Sequence, residues 1–228
     1  MLTLSKLIVA LDIADEPAAL NLVDRLSGTV DVFKIGLQLF TAGGPAIIKQ
    51  VQAKGGKVFL DLKLHDIPNT VAKAVEAAQK HGVYAMTVHL AGGLEMLQKA
   101  AAVKPRPQLW GVTVLTSLND DNLKRVGVKF TVKEQVQNLA KLAKEAGLDG
   151  IICSPQEITI TRPLVGDTFT IVTPGVRAKT ADDDQKRTLS ASEAVKLGAD
   201  FIVVGRPVIQ ANDPREAALN MLKEIGER

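Results

Sequence analysis

The stretch KVFLDLKLHDIPNTVAKAVEAAQKHGVYAMTVHL, residues 57–90, contains two short apolar runs separated by a longer polar segment. The runs 57–63 and 84–88 have the length and composition of strands. Between them, residues 71–80 are good helix formers, and Pro68 precedes them where a helix can begin. The runs are largely apolar, which is typical of parallel strands covered on both faces. This stretch therefore predicts a strand, a helix and a second, parallel strand.

The same alternation continues along all 228 residues. Eightfold alternation in this length predicts an α/β fold, a closed (β/α)₈ or TIM barrel, with residues 1–228 as a single catalytic domain. An open flavodoxin-like or Rossmann sheet is the alternative, but no G-x-G-x-x-G follows the first strand and no G-x-x-x-x-G-K-[ST] occurs. The predicted strands are 7–11, 31–35, 57–63, 84–88, 109–115, 149–153, 169–173 and 200–204, and the clearest helices are 17–26, 45–54, 71–80, 133–145 and 214–225.

Composition narrows the possible partners and location. The chain is 46% apolar with a formal net charge of +3, and it lacks the blocks of Lys and Arg that would predict a nucleic-acid or membrane partner. The N-terminal apolar run ends on Asp12 without a small-residue cleavage site, so it predicts a buried strand and not a signal peptide. Cys153 is the only cysteine, which fits a reducing compartment. We expect a cytoplasmic protein.

Polar residues stand at the end of every predicted strand. A (β/α)₈ barrel builds its active site from these C-terminal strand ends. A single polar strand end usually means only that the chain has reached solvent, whereas eight of them predict a site. In chain order they are Asp12, Lys34, Asp61 with Lys63, His89, Thr116 with Ser117, Ser154, the turn 174–177, and Gly205 with Arg206.

The third strand has the most informative pattern. Asp61 and Lys63 are two residues apart and should point to the same face, above Phe59. Asp12 and Lys34 could extend this pair into a network of alternating charges. Salt bridges that only stabilise the barrel are the alternative, but a buried pair often gains little over apolar packing. Carboxylates beside Lys63 favour its ammonium form, which is the profile of a general acid.

Residues 61–66, DLKLHD, resemble the D-x-K-x-x-D signature of the orotidine 5′-monophosphate decarboxylase suite. The resemblance extends almost end to end, because further stretches match in the same order. They are ALD at 10–12, FKIG at 33–36, DIPNT at 66–70, TVLTS at 113–117, TPGVR at 173–177, DQKR at 184–187 and VGRP at 204–207.

The resemblance implies an enzyme, a carboxy-lyase that converts orotidine 5′-monophosphate (OMP) to UMP and CO₂ in de novo pyrimidine biosynthesis without metal or cofactor. Lys63 would protonate the C6 carbanion and Asp61 would face the departing carboxylate. The implied charged tetrad is Lys34, Asp61, Lys63 and Asp66, with Asp66 and Thr70 supplied by the neighbouring subunit of a homodimer. The local alternative for Asp66 is a helix N-cap.

The resemblance also implies the contacts that hold the substrate. Phosphate binding is expected after the last two strands, where barrels commonly bind phosphate and where Pro207 can open a short helix. The loop 178–187 is long and polar enough to act as a lid, although Asp183 replaces the family's usual glycine. The substrate-binding residues are Asp12, Lys34 and Thr116 for ribose and base, Ser154 for the pyrimidine edge, and Gly205, Arg206, Arg177 and Gln185 for phosphate.

Three rival functions are weighed on the same residues. Metal-dependent sugar-phosphate relatives share D-x-K-x-x-D but have an acidic residue where this chain has Lys34, which would repel Mg²⁺, so we expect no metal. A ribulose-phosphate-type epimerase would need several metal-binding strand ends, and His89 alone falls short. A non-catalytic phosphate-binding barrel would lack Asp61 or Lys63, and both are present.

Overall fold

The structure, a computed structural model, describes residues 6–175 and 189–226. Eight parallel strands form a closed barrel in chain order, with β8 paired to β1, which confirms the predicted (β/α)₈ fold. The strands are β1 Leu7–Ala10, β2 Val32–Gly36, β3 Lys57–Leu64, β4 Ala85–His89, β5 Gln108–Val112, β6 Gly150–Ile152, β7 Thr170–Pro174 and β8 Phe201–Val204.

Helices cover the outside of the barrel, and the five predicted from sequence correspond to α1, α3, α4, α7 and α11. Within the described part of the chain, no helix has the length and apolar character needed to cross a membrane. The helices are α1 Glu16–Leu26, α2 Leu37–Gly43, α3 Ala46–Ala53, α4 Pro68–Lys80, α5 Leu94–Ala101, α6 Asp120–Arg125, α7 Val132–Glu145, α8 Ile158–Val165, α9 Ala191–Lys196, α10 Arg206–Ile209 and α11 Pro214–Glu224.

Two layers of apolar side chains pack against the strands, one outside the barrel and one inside it. The larger one lies between strands and helices and includes Val58 and Leu60 of β3. The smaller one fills the barrel interior, where Phe59 and Trp110 meet edge to face with ring centroids 4.7 Å apart. Alternation along β3 therefore places Phe59 inside the barrel, as the sequence predicts. The interior layer closes the barrel from below and leaves the C-terminal mouth open.

The fifth strand is shorter than predicted. It ends at Val112, whereas the apolar run predicted a strand over 109–115. Val114 and Leu115 lie beyond the strand and line the cavity at the mouth. Their apolar character therefore reflects a cavity wall and not continued sheet pairing.

At the opposite end of the barrel, two Arg–Asp pairs tie neighbouring strands together; we call them the N-terminal clamps. Asp149 directly precedes β6 and pairs with Arg106, and Asp200 directly precedes β8 and pairs with Arg162. Each carboxylate also accepts a backbone N–H from the second residue of the preceding strand, at 2.8 Å on β5 and 2.7 Å on β7. Both arginines donate further hydrogen bonds to backbone carbonyls.

Candidate active site

A cavity of about 740 Å³ opens at the C-terminal ends of the strands. Its walls combine apolar residues of the barrel interior with polar strand ends, so it can enclose a ligand that has both polar and apolar parts. The predicted site residues that line it are Asp12, Lys34, Asp61, Lys63, Thr116, Gly205 and Arg206.

Four charged residues at the mouth form a continuous chain of alternating sign, the mouth network. Lys34 Nζ lies 3.0 Å from Asp12 Oδ1 and 3.7 Å from Asp61 Oδ2. Lys63 Nζ lies 2.9 Å from both carboxylate oxygens of Asp61. Asp61 is thus shared by two ammonium groups, and its side chain is only 13% exposed. This arrangement offers a ligand both a fixed negative charge and an adjacent proton donor.

Gly36, the last residue of β2, has no side chain and so leaves space for the Asp12–Lys34 pair. A Cβ at this position would lie 3.2 Å from Lys34 Nζ and 3.4 Å from Asp12 Oδ1. A side chain would therefore press on the ammonium where it meets the carboxylate. The FKIG stretch thus supplies both the lysine and the space beside it.

Lys63 reaches Asp61 by a backbone irregularity and not by regular strand alternation. Its φ is +51°, the only positive φ at a non-glycine position among the described residues. The β3–β4 register shifts at the same place, between Leu60 and Leu64. A left-handed conformation costs an ordinary residue about 1–2 kcal/mol, so the surrounding structure must hold it. The expectation that the two side chains share a face is met, but by a bulge.

Asp66 and Thr70 lie apart from the cavity of their own barrel. Both are exposed, and neither lines the cavity. The Asp66 carboxylate accepts the backbone N–H of Ile67 at 2.6 Å, and Ile67, 67% exposed, is the N-cap residue of α4. The alternative that Asp66 is the N-cap is therefore wrong by one residue.

Ser154 follows β6 but does not line the cavity, although its neighbour Cys153 does. Its backbone N–H donates to Glu157 Oε2 at 2.8 Å, and its hydroxyl accepts a longer bond of 3.4 Å from the N–H of Gln156. Burial raises the pKa of Glu157, an effect that the bond from Ser154 partly counteracts. Glu157 therefore fixes the backbone at Ser154.

The expected phosphate end is formed by the chain after β7 and β8. Gly175, Gly205, Arg206 and Pro207 line the cavity, and α10 begins at Arg206 as the Pro207 pattern predicts. Gly175 has a φ of +77°, which favours glycine. Of the other predicted phosphate contacts, Arg177 and Gln185 lie outside the described residues, as does the predicted lid 178–187.

Two further titratable groups near the mouth are held in their neutral forms. His89 accepts the N–H of Ala91 on Nδ1 at 3.2 Å and stacks on His65. Burial, then His65 and Lys63, lowers the pKa of His89. Burial, reinforced by Glu157, raises the pKa of the Cys153 thiol to about 12. Neither group is charged near neutral pH, which agrees with Cys153 being a core residue.

Sequence reasoning missed Thr87, which contacts the mouth network from β4. Its hydroxyl lies 3.0 Å from Asp61 Oδ1, and its side chain is fully buried. The available signal was one polar residue inside the apolar strand AMTVH. A polar group in a buried strand needs a partner, and here the partner is a charged strand end.

Comparisons with known proteins agree with this geometry. Residues 5–221 match the family model described as Orotidine 5′-phosphate decarboxylase / HUMPS family. The chain is 47% identical to orotidine 5′-phosphate decarboxylase of Saccharophagus degradans, over 96% of this chain and 94% of that one. It is 49% identical to the Moorella thermoacetica protein of the same name, over 96% and 92%. A crystal structure of orotidine 5′-phosphate decarboxylase from Lactobacillus acidophilus superimposes with a TM-score of 0.87 at 37% identity, covering 97% and 99%.

Proposed function

The chain belongs to the orotidine 5′-phosphate decarboxylase / HUMPS family, and we propose that it converts OMP to UMP and CO₂ in pyrimidine biosynthesis without metal or cofactor. The observation that carries the proposal is the mouth network, in which Asp61 and Lys63 lie side by side in a cavity wall. A carboxylate next to an ammonium suits a reaction in which an anionic group departs and a proton replaces it.

The proposed reaction gives Asp61 and Lys63 separate roles. The substrate carboxylate on C6 is placed against Asp61, where like charges disfavour the bound substrate and departure of CO₂ relieves the repulsion. The C6–carboxylate bond breaks and its electron pair stays on C6. Lys63 stabilises this developing charge and donates an Nζ proton to C6, giving UMP. Its 2.9 Å contacts to Asp61 support this role, because they keep the ammonium where the carboxylate departs.

Lys34 supports the metal-independent branch of the family. Its ammonium lies between Asp12 and Asp61 at the end of β2. A metal cation bound by those two carboxylates would be repelled by this ammonium or would have to displace it. Lys34 instead supplies the charge itself, and we assign it, with Asp12, to hold the ribose.

The remaining contacts are assigned by their position around the cavity. Arg206 offers a planar fork to the phosphate oxygens, and Gly205 permits close backbone approach. Thr116 lines the cavity wall and is assigned, with Asp12 and Lys34, to the ribose and base. Ser154, Arg177 and Gln185 join the proposal by family resemblance, Ser154 for the pyrimidine edge and the other two for phosphate.

We also propose a homodimer in which Asp66 and Thr70 complete the neighbouring site. Their exposure, and the fact that neither lines the cavity of their own barrel, support this assignment. Ile67 and Leu37, 67% and 58% exposed, add apolar surface near the mouth that a second subunit could cover. We further propose that residues 1–228 form one catalytic domain of a cytoplasmic enzyme.

The direct test is to mix the purified protein with OMP in EDTA and follow the absorbance of the orotate chromophore. We expect the absorbance to fall at the same rate in EDTA and in Mg²⁺, with UMP as the product. A Lys63→Ala protein purified in parallel controls for contaminating host enzyme. An unchanged spectrum would contradict the proposed activity, and a rate lost in EDTA and restored by Mg²⁺ would contradict metal independence.

A further inference from the structure

Thr87 lies on the inner face of β4, next to the mouth network. Ala85, two residues earlier on the same strand, belongs to the apolar interior layer. Thr87 therefore points into the barrel above that layer, and its side chain is 0% exposed. A hydroxyl sealed from water at this depth must satisfy its hydrogen bonds within the protein.

The Thr87 hydroxyl makes one bond to Asp61 and one to Lys63 of the network. Oγ1 accepts the backbone N–H of Lys63 at 2.8 Å. It lies 3.0 Å from Asp61 Oδ1, and because a carboxylate can only accept, the hydroxyl donates its single proton there. The directions of both bonds are thus fixed, and one side chain joins the backbone of Lys63 to the carboxylate of Asp61.

The strand register shows why this bond matters. Leu60 pairs with Met86 and Leu64 with Val88, so three residues of β3 stand opposite Thr87 alone. Lys63, the last of these three residues, has the positive φ of +51°. Its N–H bonds a side chain of β4 where a regular ladder would use a backbone carbonyl. The hydroxyl therefore holds the unusual backbone conformation from which the Lys63 side chain reaches Asp61.

The same hydroxyl limits how far Asp61 can turn. Oδ1 receives both Thr87 and Lys63, while Oδ2 is shared between Lys63 and Lys34. A carboxylate that repels a substrate anion must be prevented from rotating away, because rotation would relieve the repulsion before CO₂ departs. The bond from Thr87 opposes that rotation.

We propose that Thr87 is a positioning residue, whose hydroxyl orients the Asp61 carboxylate and holds Lys63 in its left-handed conformation for proton donation. The inference rests on the proposed decarboxylation and adds to it a residue that contacts neither C6 nor the departing group. It predicts an effect on the chemical step and not on substrate binding.

The test compares variants at Thr87 with a matched variant elsewhere. Thr87→Val removes the hydroxyl and keeps the shape, and Thr87→Ser keeps the hydroxyl. Thr161→Val is the control, because Thr161 is also 0% exposed but its hydroxyl bonds carbonyls of α8 and its preceding turn and contacts Cys153 Sγ at 3.8 Å, with no bond to Asp61 or Lys63. For each protein kcat and KM for OMP are measured, together with the thermal midpoint.

We expect Thr87→Val to lower kcat by about 10- to 100-fold with KM unchanged or lower. Thr87→Ser and Thr161→Val should stay within about threefold of the wild-type kcat. If Thr87→Val does not fold, Thr87→Ala against Thr87→Ser isolates the same hydroxyl.

Two results would overturn the role of Thr87 while leaving the enzyme assignment intact. One is a Thr87→Val (or Thr87→Ala) enzyme with wild-type kcat; the other is an equal loss in Thr87→Ser or Thr161→Val, which would indicate packing alone. A wild-type protein that does not turn over OMP would instead contradict the proposed function.

Discussion

The two ends of the barrel both contain buried or half-buried ion pairs, but they use them differently. In the N-terminal clamps, Arg106 is 9% exposed and donates to backbone carbonyls as well as to Asp149. In the mouth network, Lys63 is 31% exposed, and within the described residues its ammonium has Asp61 as its hydrogen-bond partner. The guanidinium is nearly saturated with protein acceptors, whereas the ammonium still has N–H capacity and lines a cavity.

This difference separates a structural charge pair from one that is available for a ligand. An ion pair whose donors are all used by acceptors within the protein can only connect strands. An ion pair that keeps unused donors beside a cavity can bind or protonate something that enters. The contrast predicts that changes at the mouth alter the reaction, while changes at the clamps alter stability.

The largest expected effect comes from Lys63→Ala. Loss of the proton donor and of the charge beside C6 should lower kcat at least about 10⁴-fold. The fold should survive because Asp61 keeps Lys34 and Thr87 as partners. Turnover of OMP and the thermal midpoint are measured against Lys73→Ala, a surface lysine that pairs with Glu76 on α4. Substantial activity in Lys63→Ala would contradict the catalytic role assigned to the mouth network.

Mixing two inactive variants asks whether the mouth is completed by a second subunit. If Asp66 acts across a dimer, Lys63→Ala and Asp66→Ala subunits that reassort freely should recover about a quarter of wild-type activity, because half of the dimers are hybrids with one intact site. If Asp66 acts within its own barrel, no site regains both residues. A mixture that stays inactive after confirmed subunit exchange would therefore refute the shared site.

At the Arg106–Asp149 pair of the N-terminal clamps, we expect a smaller effect, on stability and not on activity. Asp149→Asn leaves the Arg106 charge without its counter-ion and should lower the free energy of unfolding by about 2–3 kcal/mol. The same change at the mouth, Asp61→Asn, should alter stability by no more than about 1 kcal/mol, because Lys34 keeps Asp12 and Lys63 is partly solvated.

Urea unfolding at one fixed protein concentration measures stability in both variants, and the kcat of the folded protein completes the comparison. Asp149→Asn should keep its kcat, whereas Asp61→Asn should lose most of it. If both variants lost stability equally and both stayed active, the two ends of the barrel would not differ in the way proposed.

Sequence predicted the mouth better than the clamps for a physical reason. Strand ends recur at regular places in a (β/α)₈ barrel, so Asp12, Lys34 and Asp61 could be placed at the mouth from apolar runs alone. Arg106 lies 43 residues from Asp149, in a loop that no periodicity describes. Such long-range pairs depend on how loops close beneath the barrel, which local pattern does not specify.

The bulge at Lys63 escaped prediction for a related reason. The run VFLDLKL follows strand alternation, and a positive φ at a lysine leaves no trace in composition. At the bulge, the Lys63 N–H bonds a hydroxyl on the next strand, 24 residues away. The identity of the charged residues was therefore predictable, while the geometry that orients them required the structure.

The smallest expected effect comes from Cys153, which lies at the mouth yet is more deeply buried than the clamp residues. It lines the cavity but is 2% exposed, and burial raises its pKa from 9.0 to about 12. Above pH 9 the unfolded chain releases the thiol proton while the folded chain keeps it, so this group lowers stability as pH rises. Relative to Cys153→Ala, the wild type should lose about 1.4 kcal/mol of unfolding free energy between pH 8 and pH 10, measured by urea unfolding. A pH-independent difference would mean that the folded and unfolded thiols have the same pKa, which would contradict the burial of this group.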